Sequence, residues 1–162
     1  MKAINVLCMA ALALFLGSCS DDDKKDDVKV KTVTLDEKFC NKIDVWIDED
    51  GGVILENNSK DGITVTLAGD EEEDGFYSGE IYLYKASTVL TFTSSVGKIK
   101  KVEVFDAYRD SSDNPDCPVD WTWNSSNCSF IWKGTPSASV NMAGKDNFEI
   151  ELYPKKIVFT LE

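Results

Sequence analysis

Groups that could do chemistry are unevenly supplied in this chain of 162 residues, which has five Cys, 29 Asp and Glu, and no His. The lack of His removes the commonest general base, the Ser-His and Cys-His nucleophile pairs, and the commonest zinc ligand together. Carboxylates are plentiful. Cleaving a glycoside, however, takes two of them about 5 to 10 Å apart across a cleft, and no spacing here singles out a pair. Asp110-Ser111-Ser112-Asp113-Asn114-Pro115-Asp116 offers oxygen ligands of the type Ca²⁺ takes, but lacks the Gly and distal Glu of an EF-hand loop, so it reads as a hydrophilic, turn-rich loop. Asp70-Glu71-Glu72-Glu73-Asp74 packs five acids together, and charges this dense repel one another and stay solvated. These patterns point to no catalytic residue, no resident metal and no cofactor. The chain reads as a binding protein and not as an enzyme.

The aromatic residues are more suggestive. Trp121-Thr122-Trp123 places two indoles on one face of an extended segment, with Trp132 close in sequence. Such rings stack on sugars or anchor protein partners. Large indoles also fill cores, which is the first expectation for one or two of them. The sharper expectation is a ligand platform of Trp121, Trp123 and Trp132. It requires Trp121 and Trp123 to be partly exposed on one side of a strand, with Trp132 or Trp46 buried.

Near the N-terminus, Lys2 precedes an unbroken apolar run from Val6 to Leu16. Eleven residues suit a signal peptide and fall short of the roughly 20 that span a bilayer. Leu16-Gly17-Ser18-Cys19 then resembles a bacterial lipobox, whose Cys receives a diacylglycerol and becomes the first residue after cleavage. One acyl chain anchors only marginally, at about 0.8 kcal/mol per buried methylene, so the two or three chains of a lipobox Cys imply lasting attachment. Ser20-Asp21-Asp22-Asp23 resembles the acidic export signal of surface-exposed lipoproteins of the Bacteroidota. The resemblance implies an outer-membrane protein anchored through Cys19 and facing the exterior, with residues 1–18 as signal peptide.

Removing residues 1–18 leaves 144 of the 162, enough for one domain with a real core. Losing Lys2 also takes the formal net charge from −12 to −13, which repels phosphate backbones and argues against a nucleic-acid partner. Residues 19–32, with their Asp and Lys blocks, read as an acylated Cys and a charged tether, leaving a single β domain over 33–162. Export allows disulfides, and Cys40, Cys117 and Cys128 can pair in three ways with one left over. The short segment between Cys117 and Cys128 favours that pair, with loop closure contributing on the order of 3 kcal/mol. Cys40 is expected as a small buried residue.

From Val33 onward the pattern is one of strands. Ile43–Ile47 and Val53–Leu55 flank the turn Asp48-Glu49-Asp50-Gly51-Gly52, predicting a hairpin. Ile63–Leu67, Ile81–Tyr84, Leu90–Phe92, Val102–Val104, Phe148–Leu152 and Ile157–Leu161 alternate apolar with polar residues, the mark of antiparallel sheets wet on one side. Nine or ten short strands, almost no helix, and Gly, Asn, Asp and Pro turns predict an all-β antiparallel sandwich or jelly-roll-like domain, with a small barrel as the alternative.

From about Gly79 to Glu162 the chain resembles a β-domain that recurs in secreted and surface proteins of the Bacteroidota. The residues that carry this are Ile81-Tyr82-Leu83-Tyr84-Lys85, Leu90-Thr91-Phe92-Thr93-Ser94, Ile99-Lys100-Lys101-Val102-Glu103-Val104, Trp132-Lys133-Gly134 with Ser137-Ala138-Ser139-Val140, and Ile157–Leu161. The pattern implies a fold and no activity. Two functional expectations remain. The first is a lipid-anchored binding or accessory module for a glycan, a host protein or a partner lipoprotein. The second is a small protease inhibitor that presents a rigid loop between Asp106 and Trp121.

Overall fold

The computed structural model describes residues 30–47, 53–69, 75–77, 80–83, 87–105, 117–144 and 150–162. The first half of the chain forms β1 (Lys31–Asp36), α1 (Glu37–Cys40), β2 (Asp44–Ile47), β3 (Val53–Glu56), β4 (Ser59–Lys60), β5 (Ile63–Ala68), β6 (Gly75–Tyr77) and β7 (Glu80–Leu83). The second half forms β8 (Val89–Ser94), β9 (Ile99–Phe105), β10 (Trp121–Asn124), β11 (Ser129–Ser137), β12 (Ser139–Ala143), β13 (Ile150–Leu152) and β14 (Lys156–Leu161). Five strands make the larger sheet in the order β1-β14-β9-β11-β10, and four make a second sheet, β12-β8-β5-β4. The smaller β13-β7-β6 sheet and the β2-β3 hairpin complete an antiparallel, sandwich-like all-β domain.

Register assigns the faces, because side chains alternate sides along a strand. Across the larger sheet, Val33, Phe159, Val102, Trp132 and Trp121 stand in one row, and Leu35, Ile157, Val104, Phe130 and Trp123 in the next. The row between them, Thr34, Val158, Glu103, Ile131 and Thr122, points the other way. In the second sheet Val140, Phe92 and Val65 align, as do Met142, Leu90 and Leu67, and all six are buried. Phe92 joins the two layers, its ring centroid 5.4 Å from Phe159 and 6.3 Å from Trp121.

Short links bind the layers at one end. Ala138 alone separates β11 from β12, and its carbonyl accepts from Ser94 N at 2.9 Å. Residues 95–98 carry the chain from β8 to β9, and Lys98 exchanges backbone hydrogen bonds of 2.8 and 2.9 Å with Glu162. At Gly62 the backbone is left-handed (φ +83°), and an added Cβ would crowd the Val96 side chain, so glycine is favoured there on both counts.

Several strands extend or displace the expectations. The first ladder pair is Lys31 with Leu161, so described strand pairing begins at Lys31, within the last two residues of the segment 19–32 expected to be tether. The expected hairpin forms as β2 and β3, while its turn, 48–52, lies outside the described residues, as do the signal peptide, Cys19, Ser20, Asp21, Asp22 and Asp23. Fourteen strands are present among the described residues, more than the nine or ten expected. Several of the additions, such as Ser59–Lys60 and Gly75–Tyr77, are too short for alternation to show.

The short helix α1 follows from local chemistry. Asp36 closes β1, and its carboxylate accepts from Phe39 N at 3.1 Å, capping α1. Lys60 Nζ donates to the same oxygen at 3.1 Å, and this bond, with the capping bond, holds the Asp36 carboxyl below its ordinary value. The turn places Phe39 and Cys40 in the core, as expected for Cys40.

Burial pushes the Cys40 thiol up to about 12 from its ordinary 9.0. The unfolded chain therefore ionises first, so the stability linked to this group is whole below pH 9.0 and drains away as pH climbs toward 12. Urea unfolding of the wild type and of Cys40→Ala at pH 8 to 11 checks this. Above pH 9 the wild type should lose up to about 1.4 kcal/mol per pH unit that the variant does not lose.

Candidate functional site

The tryptophan hairpin is where sequence and structure converge. Trp121-Thr122-Trp123-Asn124 pairs with Ser129-Phe130-Ile131-Trp132, Trp121 opposite Trp132 and Trp123 opposite Phe130. Its turn is held by side chains: Ser126 N donates to Asn124 Oδ1 at 3.1 Å, and Ser129 Oγ to Asn127 Oδ1 at 2.7 Å. Cys128 adopts the left-handed conformation at φ 49°. On the other side, Trp121 N donates to Pro118 O at 3.0 Å, closing a turn in which Asp120 is left-handed at φ 68°.

All four rings share one face, as the i, i+2 spacing requires, but their environments differ. Trp121 is 4% exposed. It packs toward Phe92, and its Nε1 donates to Asn141 O of β12 at 2.8 Å, so the indole bridges the two sheets and its polar edge is satisfied. Trp123 is half-buried, 4.9 Å from the Phe130 ring at a tilt of 58°. Trp132 is also half-buried, and its indole lies over Gly134, where an added Cβ would meet Cζ2 at 2.6 Å.

The expected platform is thus corrected at its first member. Trp121 belongs to the core, because its row faces Phe92 and its N–H finds a carbonyl inside. Trp132, named both as a platform member and, with Trp46, as one of two indoles of which one was to be inside, shares partial exposure with Trp123. The side chain of Trp46 lies outside the described residues. Two half-buried indoles, Trp123 and Trp132, remain from the expected set. Reasoning from sequence missed Asn141, whose carbonyl receives Trp121 and whose side chain accepts from Thr91 Oγ1 at 3.1 Å. It also missed Gly134. The signal for Gly134 was present, a glycine two residues beyond a Trp on one strand, where the missing side chain makes room for the ring.

The expected Cys117–Cys128 disulfide is not formed. Cys117 precedes the turn that enters β10, while Cys128 lies in the turn that leaves it, so the strand Trp121–Asn124 lies between them in the chain. Closeness in sequence does not by itself bring two thiols into the narrow Cα and Cβ geometry that a disulfide needs. The acidic run 70–74 and the loop 106–116, where a calcium site and a protruding inhibitory loop were weighed, lie outside the described residues. Among the described residues no group of acids and cysteines is placed to hold a metal.

Comparison with protein-family models, curated proteins and solved structures found no match to this chain.

Truncating the tryptophans one at a time separates their roles. Trp121→Ala should cost roughly 3 to 5 kcal/mol, as a buried large-to-small change does, and Trp123→Ala clearly less. Denaturant unfolding followed by far-UV circular dichroism measures both, and equal losses would contradict the assignment.

Proposed function

We propose that the chain is a lipid-anchored surface module of the outer membrane, whose sandwich binds or supports a glycan, a host protein or a neighbouring lipoprotein. The observation that carries this is the run Leu16-Gly17-Ser18-Cys19-Ser20-Asp21-Asp22-Asp23, behind an apolar stretch of signal-peptide length. Acyl chains on Cys19 attach the protein, and the three acids after it direct the domain to the exterior.

The fold is compatible with this use. Lys31 opens the first ladder pair, twelve residues after Cys19. At about 3.3 to 3.6 Å per residue, that segment reaches at most about 43 Å. A domain so tethered works close to the membrane. On the ligand side the reading assigns contact to Trp123 and Trp132, since an indole with one face packed and one edge open offers apolar area at little cost in side-chain entropy. Trp121 supports them from inside.

Proteinase added to intact cells tests the proposal. The wild type should be digested, and Cys19→Ala should lose its acyl chains by intact mass. Replacing Asp21, Asp22 and Asp23 by Ala should leave acylation in place and protect the protein from the enzyme. Survival of the wild type, while known surface proteins are cut, would contradict surface display.

A further inference from the structure

We infer that the end of the sandwich from which the N-terminal segment departs is the face that rests on the bilayer, with Val30, Val96 and Val119 as its apolar contact points. This rests on the acyl anchoring of Cys19 proposed above. Lys31 pairs with Leu161, Leu161 with Ile99, and Ile99 with Ser137, so the start of β1, the end of β14, the start of β9 and the end of β11 share one end of the larger sheet. β10 runs antiparallel to β11 and starts at Trp121 opposite Trp132, which puts the turn before it, with Val119, toward the same end. Val96 lies in the link from β8 to β9, against Gly62.

Among the described residues, the large apolar side chains left exposed are Val30 at 62%, Val96 at 41% and Val119 at 73%. Exposed apolar residues scattered singly call for no explanation. Here all three lie at the end where the tether emerges. Val30 and Val119 stand by opposite edges of the five-stranded sheet, four strand spacings or about 19 Å apart, and Val96 lies toward the second sheet. Three separated points describe a broad face.

Tether length selects a lipid surface as the occupant. Lys31, Lys98 and Lys100 are exposed at this end, interspersed with exposed Asp61, Asp120 and Glu162, and Lys100 is held by Glu162 at 2.7 Å. Lysines beside exposed valines suit a headgroup layer, where ammonium groups meet phosphates and short apolar side chains enter the boundary below. Because the chain reaches its acylated Cys from this end within about 43 Å, this face is the one held nearest the membrane.

Lysine acetylation read by mass spectrometry tests the orientation on the acylated full-length protein, in vesicles of phosphatidylethanolamine and phosphatidylglycerol and in detergent. Lys31, Lys98 and Lys100 should react several-fold more slowly in vesicles. Lys38, Lys155 and Lys156, at the opposite end, should react equally in both. A Val96→Asp, Val119→Asp double variant, altered only at exposed positions, should keep its acyl chains and lose the protection of Lys98 and Lys100. Equal reactivity at the two ends of acylated, vesicle-bound wild type, or protection that survives the double substitution, overturns this orientation and leaves anchoring intact. Absence of acyl chains by intact mass overturns the anchoring and the orientation with it.

Discussion

The phenyl ring of Phe92, carried by β8 in the four-stranded sheet, stands between Phe159 of β14 and Trp121 of β10. Two sheets that each bury one face need a common interior, and here a row of large rings supplies it. Phe159 occupies the interior of the five-stranded sheet and Trp121 its edge, so Phe92 reaches across the width of the opposing layer. The hydrogen bond from Trp121 to Asn141 adds a directional tie between the edge strands β10 and β12. Around this row the aliphatic side chains of both sheets, among them Val65, Leu90, Met142, Val104 and Ile157, complete the same buried cluster.

Much of the rest follows from where that row lies. With Trp121 drawn inward, its neighbours Trp123 and Trp132 are carried to the margin of the core, and they alone of the three can meet a partner. Charged groups are left to the periphery. Lys60 with Asp36, Lys101 with Glu103 and Lys100 with Glu162 are partly exposed pairs, which contribute little to stability one by one. The described sandwich is therefore held by apolar packing, with its ion pairs at the periphery.

How far the sequence disclosed this depended on the length and regularity of each element. Ile63–Leu67 and Ile157–Leu161 alternate over five residues, and both proved to be strands with the expected face buried. Trp121–Asn124 and Ser129–Ser137 were harder. Their sequences mix Thr, Asn, Lys, Gly and Pro, and β11 changes register against β9 between Lys133 and Ser137, which breaks the period of two. The role of Trp121 was out of reach for another reason. Spacing places two indoles on one face but cannot say whether that face meets Phe92 or water. The disulfide expectation failed because distance along the chain does not report the geometry between two cysteines in different turns. Cys40 was legible, since a thiol beside Phe39 and near Ile43 has the composition of a core position.

A double-mutant cycle between Phe92→Leu and Trp121→Phe, read by urea unfolding, tests the contact on which the two sheets depend. If the rings meet across the layers as described, the double variant should depart from additivity by about 0.5 to 1.5 kcal/mol. Losses that add within about 0.3 kcal/mol, the behaviour of independent sites, would contradict the account.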